Sequence, residues 1–166
     1  MWKSISEVLD RWSNGNLNLN RKKCHFRVPE VRCVGHVLSA EGVKLEPSEA
    51  VIAMPSPACR EDLQRFLSVV TYFSRFISNI SQKSAPLHQL LQRYNEWSWG
   101  KVEEDTLTCL KTSISSASVL KFFDPKEPVT LSVDASLKGV GAVLENDRPV
   151  AYASKALTPS QRFMHR

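Results

Sequence analysis

The sequence predicts an α+β fold that consists of a helix and a β-hairpin, a helical middle part, and a three-stranded antiparallel sheet. Two proline-containing stretches, Met54–Pro57 and Asp124–Pro128, divide the chain, because proline lacks the N–H that continues a helix or a central strand. Apolar residues recur at helical spacing before the second stretch and alternate with a period of two after it. We therefore expect three parts, at residues 1–54, 55–124 and 125–166.

Composition and charge narrow the class of protein. The chain has 166 residues, 42% of them hydrophobic and 23% charged, and a formal net charge of +5, which is typical of a globular protein large enough to bury a core. No apolar run approaches the roughly 18 residues that a membrane span needs, and Glu7 and Asp10 come too early for a signal peptide. The four cysteines form no C-x-x-C pair. We expect an intracellular protein without a membrane partner, and leave cytoplasm or nucleus open.

The first part begins with a helical pattern and continues with a strand pattern. The helix is expected to end at Asn14-Gly15, a typical C-terminal stop. Residues Val31–Leu38 indicate one strand, and Ala40–Gly42 indicates the turn of a hairpin. The apolar positions at helical spacing are Ile5, Val8, Leu9 and Trp12.

The middle part contains three helical patterns. The first is expected to begin at Ser56, with Pro57 at its first helical position. A second, short helix contains Leu87, Leu90 and Leu91. The third begins near Lys101, with acidic residues at its positive end, and turns Leu107, Leu110 and Ile114 to the core. The apolar face of the first helix is formed by Leu63, Phe66, Leu67, Val70, Phe73 and Ile77, whereas Tyr72 and Phe76 could pack in the core or stack on bases.

The last part has three strand patterns, Val129–Asp134, Gly139–Leu144 and Pro149–Ala153, with a turn at Asn146-Asp147. Thr158–Ser160 indicates the start of another helix. Because both faces of the second strand are apolar, we expect this sheet to be loose, prone to aggregation, or stabilised only by docking onto residues 100–125.

A basic cluster lies before the first predicted strand. A patch of this kind can follow a phosphate backbone, and the alternative is a solvated face without a partner. The cluster consists of Arg21, Lys22, Lys23, Arg27 and Arg32.

Six sequence motifs in a fixed order resemble one known family. They are Leu17–Asn20 with Lys23-Cys24 and Phe26; Val34–His36 with Ser39–Lys44; Leu63–Leu67 with Tyr72-Phe73 and Arg75–Ile77; Ala85–Leu87 with Leu90-Leu91; Trp97–Trp99; and Val129–Ser136 with Gly139–Leu144 and Pro149–Leu157. In this order they resemble the Pol polyprotein of gypsy-type LTR retrotransposons, from the end of the reverse-transcriptase palm through the thumb and connection into RNase H. The resemblance implies a palm-end helix and hairpin, a helical thumb and connection, and a partial RNase H-like sheet.

The resemblance also implies a function. The parent enzyme copies RNA into DNA and degrades the RNA strand with Mg²⁺, and its hairpin lies near the primer end of a primer–template duplex. Gly35 and His36 would then contact that duplex, and a second reverse-transcriptase subunit is an alternative partner. The candidates for phosphate contacts are Lys22, Lys23, Arg27, Arg65 and Arg75.

Asp134 matches one metal-binding carboxylate of the RNase H pattern, while the other catalytic carboxylates of the family have no counterpart in this sequence. We expect Asp134 to be an orphaned ligand, with no metal bound tightly and no catalysis by this chain alone. A zinc site at Cys24, His25, Cys33 and His36 is disfavoured because the spacing of these four residues does not suit one tetrahedral ion.

The alternatives to a reverse-transcriptase fragment are a co-opted binding or docking module and a decayed reading frame.

Overall fold

The computed structural model describes residues 2–46, 49–158 and 160–161. Helix α1 (Trp2–Asn14) is followed by a 3₁₀ turn (Arg21–Lys23) and by three strands, β1 (Glu30–Cys33), β2 (His36–Ser39) and β3 (Gly42–Leu45), which form an antiparallel sheet in that order. The prediction of helix α1 is confirmed.

The prediction of a single strand over Val31–Leu38 is wrong, because the chain reverses at Val34-Gly35. Cys33 pairs with His36 across this turn, and both turn residues have positive φ values, 48° for Val34 and 73° for Gly35. Two-residue hairpin turns of this kind require positive φ at both positions. The expected turn at Ala40–Gly42 is the second hairpin of the same sheet, since Ser39 pairs with Gly42.

The middle part is helical, as expected. It contains α3 (Arg60–Tyr72), a 3₁₀ turn (Ser74–Phe76), α4 (Ile80–Lys83), α5 (Ala85–Leu90) and α6 (Lys101–Ser115), and the short helix α2 (Glu49–Ile52) precedes it. The predicted helix start at Ser56-Pro57 is wrong, because α3 begins at Arg60 after an extended Cys59. The hydroxyl of Ser56 instead donates to the carboxylate of Glu104 on α6, at 2.7 and 2.9 Å.

One hydrophobic core joins α3, α5 and α6 with Leu45 of β3 and with Leu120. Phe76 is buried in the core, whereas Tyr72 is 48% exposed and is not a core residue. The other predicted core positions that are buried are Leu63, Phe66, Leu67, Val70, Phe73, Ile77, Leu87, Leu90, Leu107, Leu110 and Ile114.

The last part forms the expected three-stranded antiparallel sheet, with β4 (Thr130–Ala135), β5 (Gly139–Asn146) and β6 (Arg148–Ala156) in that order. Strand β6 packs chiefly against α4 and the Ser74–Phe76 turn. Two serines join the elements: the N–H of Ser81 donates to Ser154 Oγ at 3.0 Å, and the hydroxyl of Ser81 donates to the carbonyl of Ser154 at 2.8 Å. The docking surface expected at residues 100–125 contributes the N–H of Lys121, which donates to the carbonyl of Pro149 at 2.8 Å.

Thr158 and Gln161 exchange capping hydrogen bonds, as expected for a helix start, and most of the helix predicted there lies outside the described residues. The division into three parts at residues 54 and 124 stays a prediction. No helix of the described part is long and apolar enough to cross a membrane.

Candidate nucleic-acid interface

The turn at Val34-Gly35 is an exposed and strained part of the first sheet. Val34 is 75% exposed, and a positive φ is a rare conformation for a β-branched residue. Such strain persists only where surrounding contacts impose it, and it is found more often at functional sites than elsewhere. Within the described residues, the N–H groups of Val34 and Gly35 donate to no protein acceptor, so this turn offers two backbone donors.

Three donors hold the carbonyl groups of the turn. The hydroxyl of Tyr72 and Nδ1 of His36 each lie 2.8 Å from the carbonyl oxygen of Val34, and the N–H of Glu46 donates to the carbonyl of Gly35 at 2.9 Å. Because a carbonyl oxygen only accepts, the proton of a neutral His36 must be on Nδ1. Nε2 is then an acceptor in the neutral ring and a donor in the protonated one.

The ring of His36 is surrounded by aromatic rings from α3 and the turn that follows it. The ring centroid of His36 lies 5.4 Å from that of Tyr72, 6.2 Å from that of Phe73 and 5.2 Å from that of Phe76. The guanidinium of Arg75 lies over the same Phe76 ring, at 5.9 Å. Of the predicted residues, Gly35 and His36 therefore lie together at the turn, and Arg75 is linked to His36 only through the ring of Phe76.

The other predicted cations are Arg65, Lys22, Lys23 and Arg27, of which the first three form no hydrogen bond or ion pair with the Val34–Gly35 turn within the described residues. Arg65 is seven residues before Tyr72 on α3, which is two helical turns or about 10 Å along the same face, and it pairs with Asp62 at 3.0 Å. Lys22 and Lys23 are exposed, and among the described residues no hydrogen bond or ion pair joins their side chains to the Val34–Gly35 turn. Arg27 is exposed and has a φ of 55°.

Arg32, which the sequence placed in the basic cluster, is partly neutralised. Its guanidinium forms an ion pair with Glu46 at 2.6 Å. Its side chain is therefore a weaker candidate for phosphate than the exposed Lys22 and Lys23.

Asp134 lies on the exposed edge strand β4, opposite Gly141 of β5. It lines a cavity of about 200 Å³ together with Asn79, Ser132 and Tyr152. Glu145 is opposite Thr130, four residues along the strand from Asp134, or about 13 Å.

Neither the magnesium site at Asp134 nor the zinc site at Cys24, His25, Cys33 and His36 is supported by the geometry of the described residues. The described residues contain no group of three or more His, Cys, Asp or Glu that could hold a metal ion. A lone carboxylate does not fit a two-metal centre, and we derive no catalytic step from Asp134. The thiol of Cys24 donates to the carbonyl of Asn20 at 3.4 Å, and Nδ1 of His36 is engaged by Val34.

Known proteins resemble both the sequence and the fold. Residues 99–166 match the RNase H-like domain found in reverse transcriptase. The Tf2-3 and Tf2-4 transposon polyproteins of Schizosaccharomyces pombe are 32% identical over 96% of this chain. The chain is therefore related to retrotransposon polyproteins. It spans 12% of the length of these two relatives.

Solved structures of the foamy viral protease-reverse transcriptase share the fold of this retrotransposon-related chain. One is a complex with double-stranded DNA, matched with a TM-score of 0.72 and 25% identity over 80% of this chain and 25% of that chain. Another is a complex with an RNA/DNA hybrid, matched with a TM-score of 0.75 and 25% identity over 85% of this chain and 20% of that chain. The mixed helical and antiparallel architecture is therefore that of a reverse transcriptase and RNase H region.

Proposed function

We propose that this chain binds the sugar–phosphate backbone of a primer–template duplex, as the corresponding part of a retrotransposon reverse transcriptase. The observation that carries the proposal is the exposed Val34–Gly35 turn next to His36, whose two backbone N–H groups donate to no protein acceptor among the described residues. Backbone N–H groups and arginine side chains are common donors to phosphate oxygens. The foamy viral relatives, which were solved with DNA and with an RNA/DNA hybrid, support a duplex as the ligand.

The cations outside the turn would extend this surface. Arg65 lies on the same face of α3 as Tyr72, and Lys22, Lys23 and Arg27 supply positive charge before β1. Contacts of this kind fix the position of a duplex but carry no sequence information. We therefore expect binding that is nearly independent of sequence and strongly dependent on salt.

Catalysis is not part of the proposal. By the sequence resemblance, Asp134 is the one carboxylate that would match a ligand of the Mg²⁺ expected in the parent enzyme, and the described residues contain no group of three or more His, Cys, Asp or Glu that could hold a metal ion. A second reverse-transcriptase subunit as a partner stays a prediction.

The test is a salt titration of binding to a labelled RNA/DNA hybrid and to a DNA duplex of the same sequence. If about three to five phosphates are neutralised, log K should fall against log salt with a slope of about −3 to −4.5. Replacing Lys22, Lys23 and Arg27 by Ala should flatten the slope by about two to three units.

The matched control removes three exposed cations outside the proposed surface, Arg93, Lys101 and Lys126, and should leave the slope nearly unchanged. Equal slopes in both triple variants would contradict this interface. The single change Arg75→Ala should flatten the slope by about one unit.

A further inference from the structure

The peptide unit between Val34 and Gly35 has one side turned to the protein and one side turned away. The described chain contains no cis peptide bond, and in a planar trans peptide the C=O and the following N–H point in opposite directions. The carbonyl of Val34 is directed at Tyr72 and His36. The N–H of Gly35 must therefore point away from them, to the outside of the turn.

Tyr72 is well placed to hold this peptide unit. It is the last residue of α3, and its ring packs edge-on against Phe73, with centroids 5.0 Å apart. The hydroxyl of Tyr72 reaches a carbonyl that lies 38 residues earlier in the chain. The half-exposed ring thus contributes little to the core, and its polar atom is used to contact the first sheet.

Two donors on one carbonyl constrain it more than one donor does. A carbonyl oxygen has two lone pairs, and the hydroxyl of Tyr72 and Nδ1–H of His36 approach it at the same distance. Without them, the strained Val34 could relax toward a negative φ, because positive φ is disfavoured for valine. The direction of the Gly35 N–H would then change with the rest of the peptide plane.

We propose that Tyr72 and His36 are positioning residues that fix the Val34–Gly35 peptide and so aim the Gly35 N–H at a phosphate of the bound duplex. The inference rests on the proposed function and adds the residue of the thumb-like helix α3 that controls the geometry of the turn. Tyr72 acts through its hydroxyl, and not by stacking on a base.

The first measurement is made without nucleic acid. The amide of Glu46 reports the turn because it donates to the carbonyl of Gly35. Tyr72→Phe keeps the ring and removes the hydroxyl, and should accelerate hydrogen exchange at this amide by roughly three- to tenfold. The amide of Leu110 in the core of α6 should not change. Tyr94→Phe, at a fully exposed tyrosine, is the matched control and should change neither amide.

The second measurement is binding of the same labelled duplexes. Tyr72→Phe should lower affinity roughly three- to tenfold with an unchanged salt slope, because no cation is lost. The double change Tyr72→Phe with His36→Phe should exceed the sum of the single changes, since it leaves the carbonyl without either donor.

The exchange measurement tests the role of Tyr72 in the turn, and the affinity measurement tests whether the turn contacts the duplex. Unchanged exchange at Glu46 in Tyr72→Phe would overturn the inference, whatever the affinity. A loss of affinity in Tyr72→Leu but not in Tyr72→Phe would also overturn it, because stacking would then be the role of the ring. Faster exchange with unchanged affinity would keep Tyr72 as the residue that holds the turn, and would remove the turn from the proposed nucleic-acid interface.

Discussion

Val43 and Leu120 exchange two backbone hydrogen bonds, with the N–H of Val43 donating at 2.8 Å and the N–H of Leu120 donating at 2.9 Å. This bridge joins the first sheet to the segment that precedes the last sheet. A second link lies beside it, where Arg148 Nη2 donates to the carbonyl of Glu41 at 2.8 Å. Strand β3 is therefore hydrogen-bonded not only to β2 but also to Leu120, which lies 77 residues after Val43 in the sequence.

Gly42 is required for this contact, and we predict that Gly42→Ala is destabilising. Its φ is 137°, and an added Cβ would overlap the carbonyl oxygen of Leu120. Strain of this kind should lower the free energy of unfolding by about 1–3 kcal/mol, measured by urea denaturation.

The matched control for Gly42→Ala is Gly15→Ala. An added Cβ at Gly15 would approach the carbonyl oxygen of Arg11 no closer than 3.4 Å, so this change should have a much smaller effect. Equal losses of stability in the two variants would show that the bridge to Leu120 is not the cause.

Glu104 should make stability depend on pH in the acid range. Its carboxylate accepts hydrogen bonds from the indole N–H of Trp99 at 2.8 Å and from the hydroxyl of Ser56, and these bonds lower the pKa of Glu104 below its ordinary value. A lowered pKa in the folded state contributes stability above the ordinary pKa. This contribution is lost as the pH falls through the folded value.

We therefore predict that Glu104→Gln unfolds at a lower urea concentration than the parent chain at pH 7, and that the difference shrinks as the pH falls below about 4. The measurement is the unfolding midpoint at several pH values. Glu96→Gln, at an exposed glutamate in the loop before α6, is the control. A difference that is constant with pH would rule out the carboxylate charge as the source.

The serine pair between α4 and β6 should hold the last sheet to the helical part. Besides the two bonds from Ser81, the hydroxyl of Ser154 donates to Ser81 Oγ at 3.1 Å. Replacing either serine by Ala should cost about 0.5–1.5 kcal/mol, and the two changes together should cost less than their sum because both remove the bond between the two hydroxyls.

Urea unfolding of the two single variants and the double variant measures this coupling, and amide exchange along β6 locates it. Ser98→Ala, at an exposed serine of the loop before α6, should stay within about 0.5 kcal/mol of the parent. Additive losses, or unchanged exchange in β6, would mean that the sheet is held by its apolar contacts alone.

Much of the fold could be predicted because its signals are local. The acidic first turn and the apolar spacing of α6 are both contained within Lys101–Ser115, and the helix begins where expected. The alternation of Val129–Asp134 likewise predicts β4. Such elements carry their start signals and their buried face within one stretch of sequence.

The start of α3 could not be predicted in the same way. Ser56-Pro57 has the residues of a helix start, but the hydroxyl of Ser56 is used by Glu104, 48 residues later. A contact between distant residues therefore overrode a local preference, which a sequence pattern cannot express.

The sequence by itself determined the amphipathic helices, the last three strands and the family resemblance, because spacing and motif order are properties of the chain. Only the tertiary structure decided that the chain reverses at Val34-Gly35 and that Tyr72 faces this turn. Glycine at position 35 permits the positive φ of a turn, but valine disfavours the positive φ that the reversal also needs at position 34, so the pair is not a typical turn signal. The turn is instead held by hydrogen bonds from Tyr72 and His36 to one carbonyl oxygen, and only folding brings α3 and the first sheet close enough to form them.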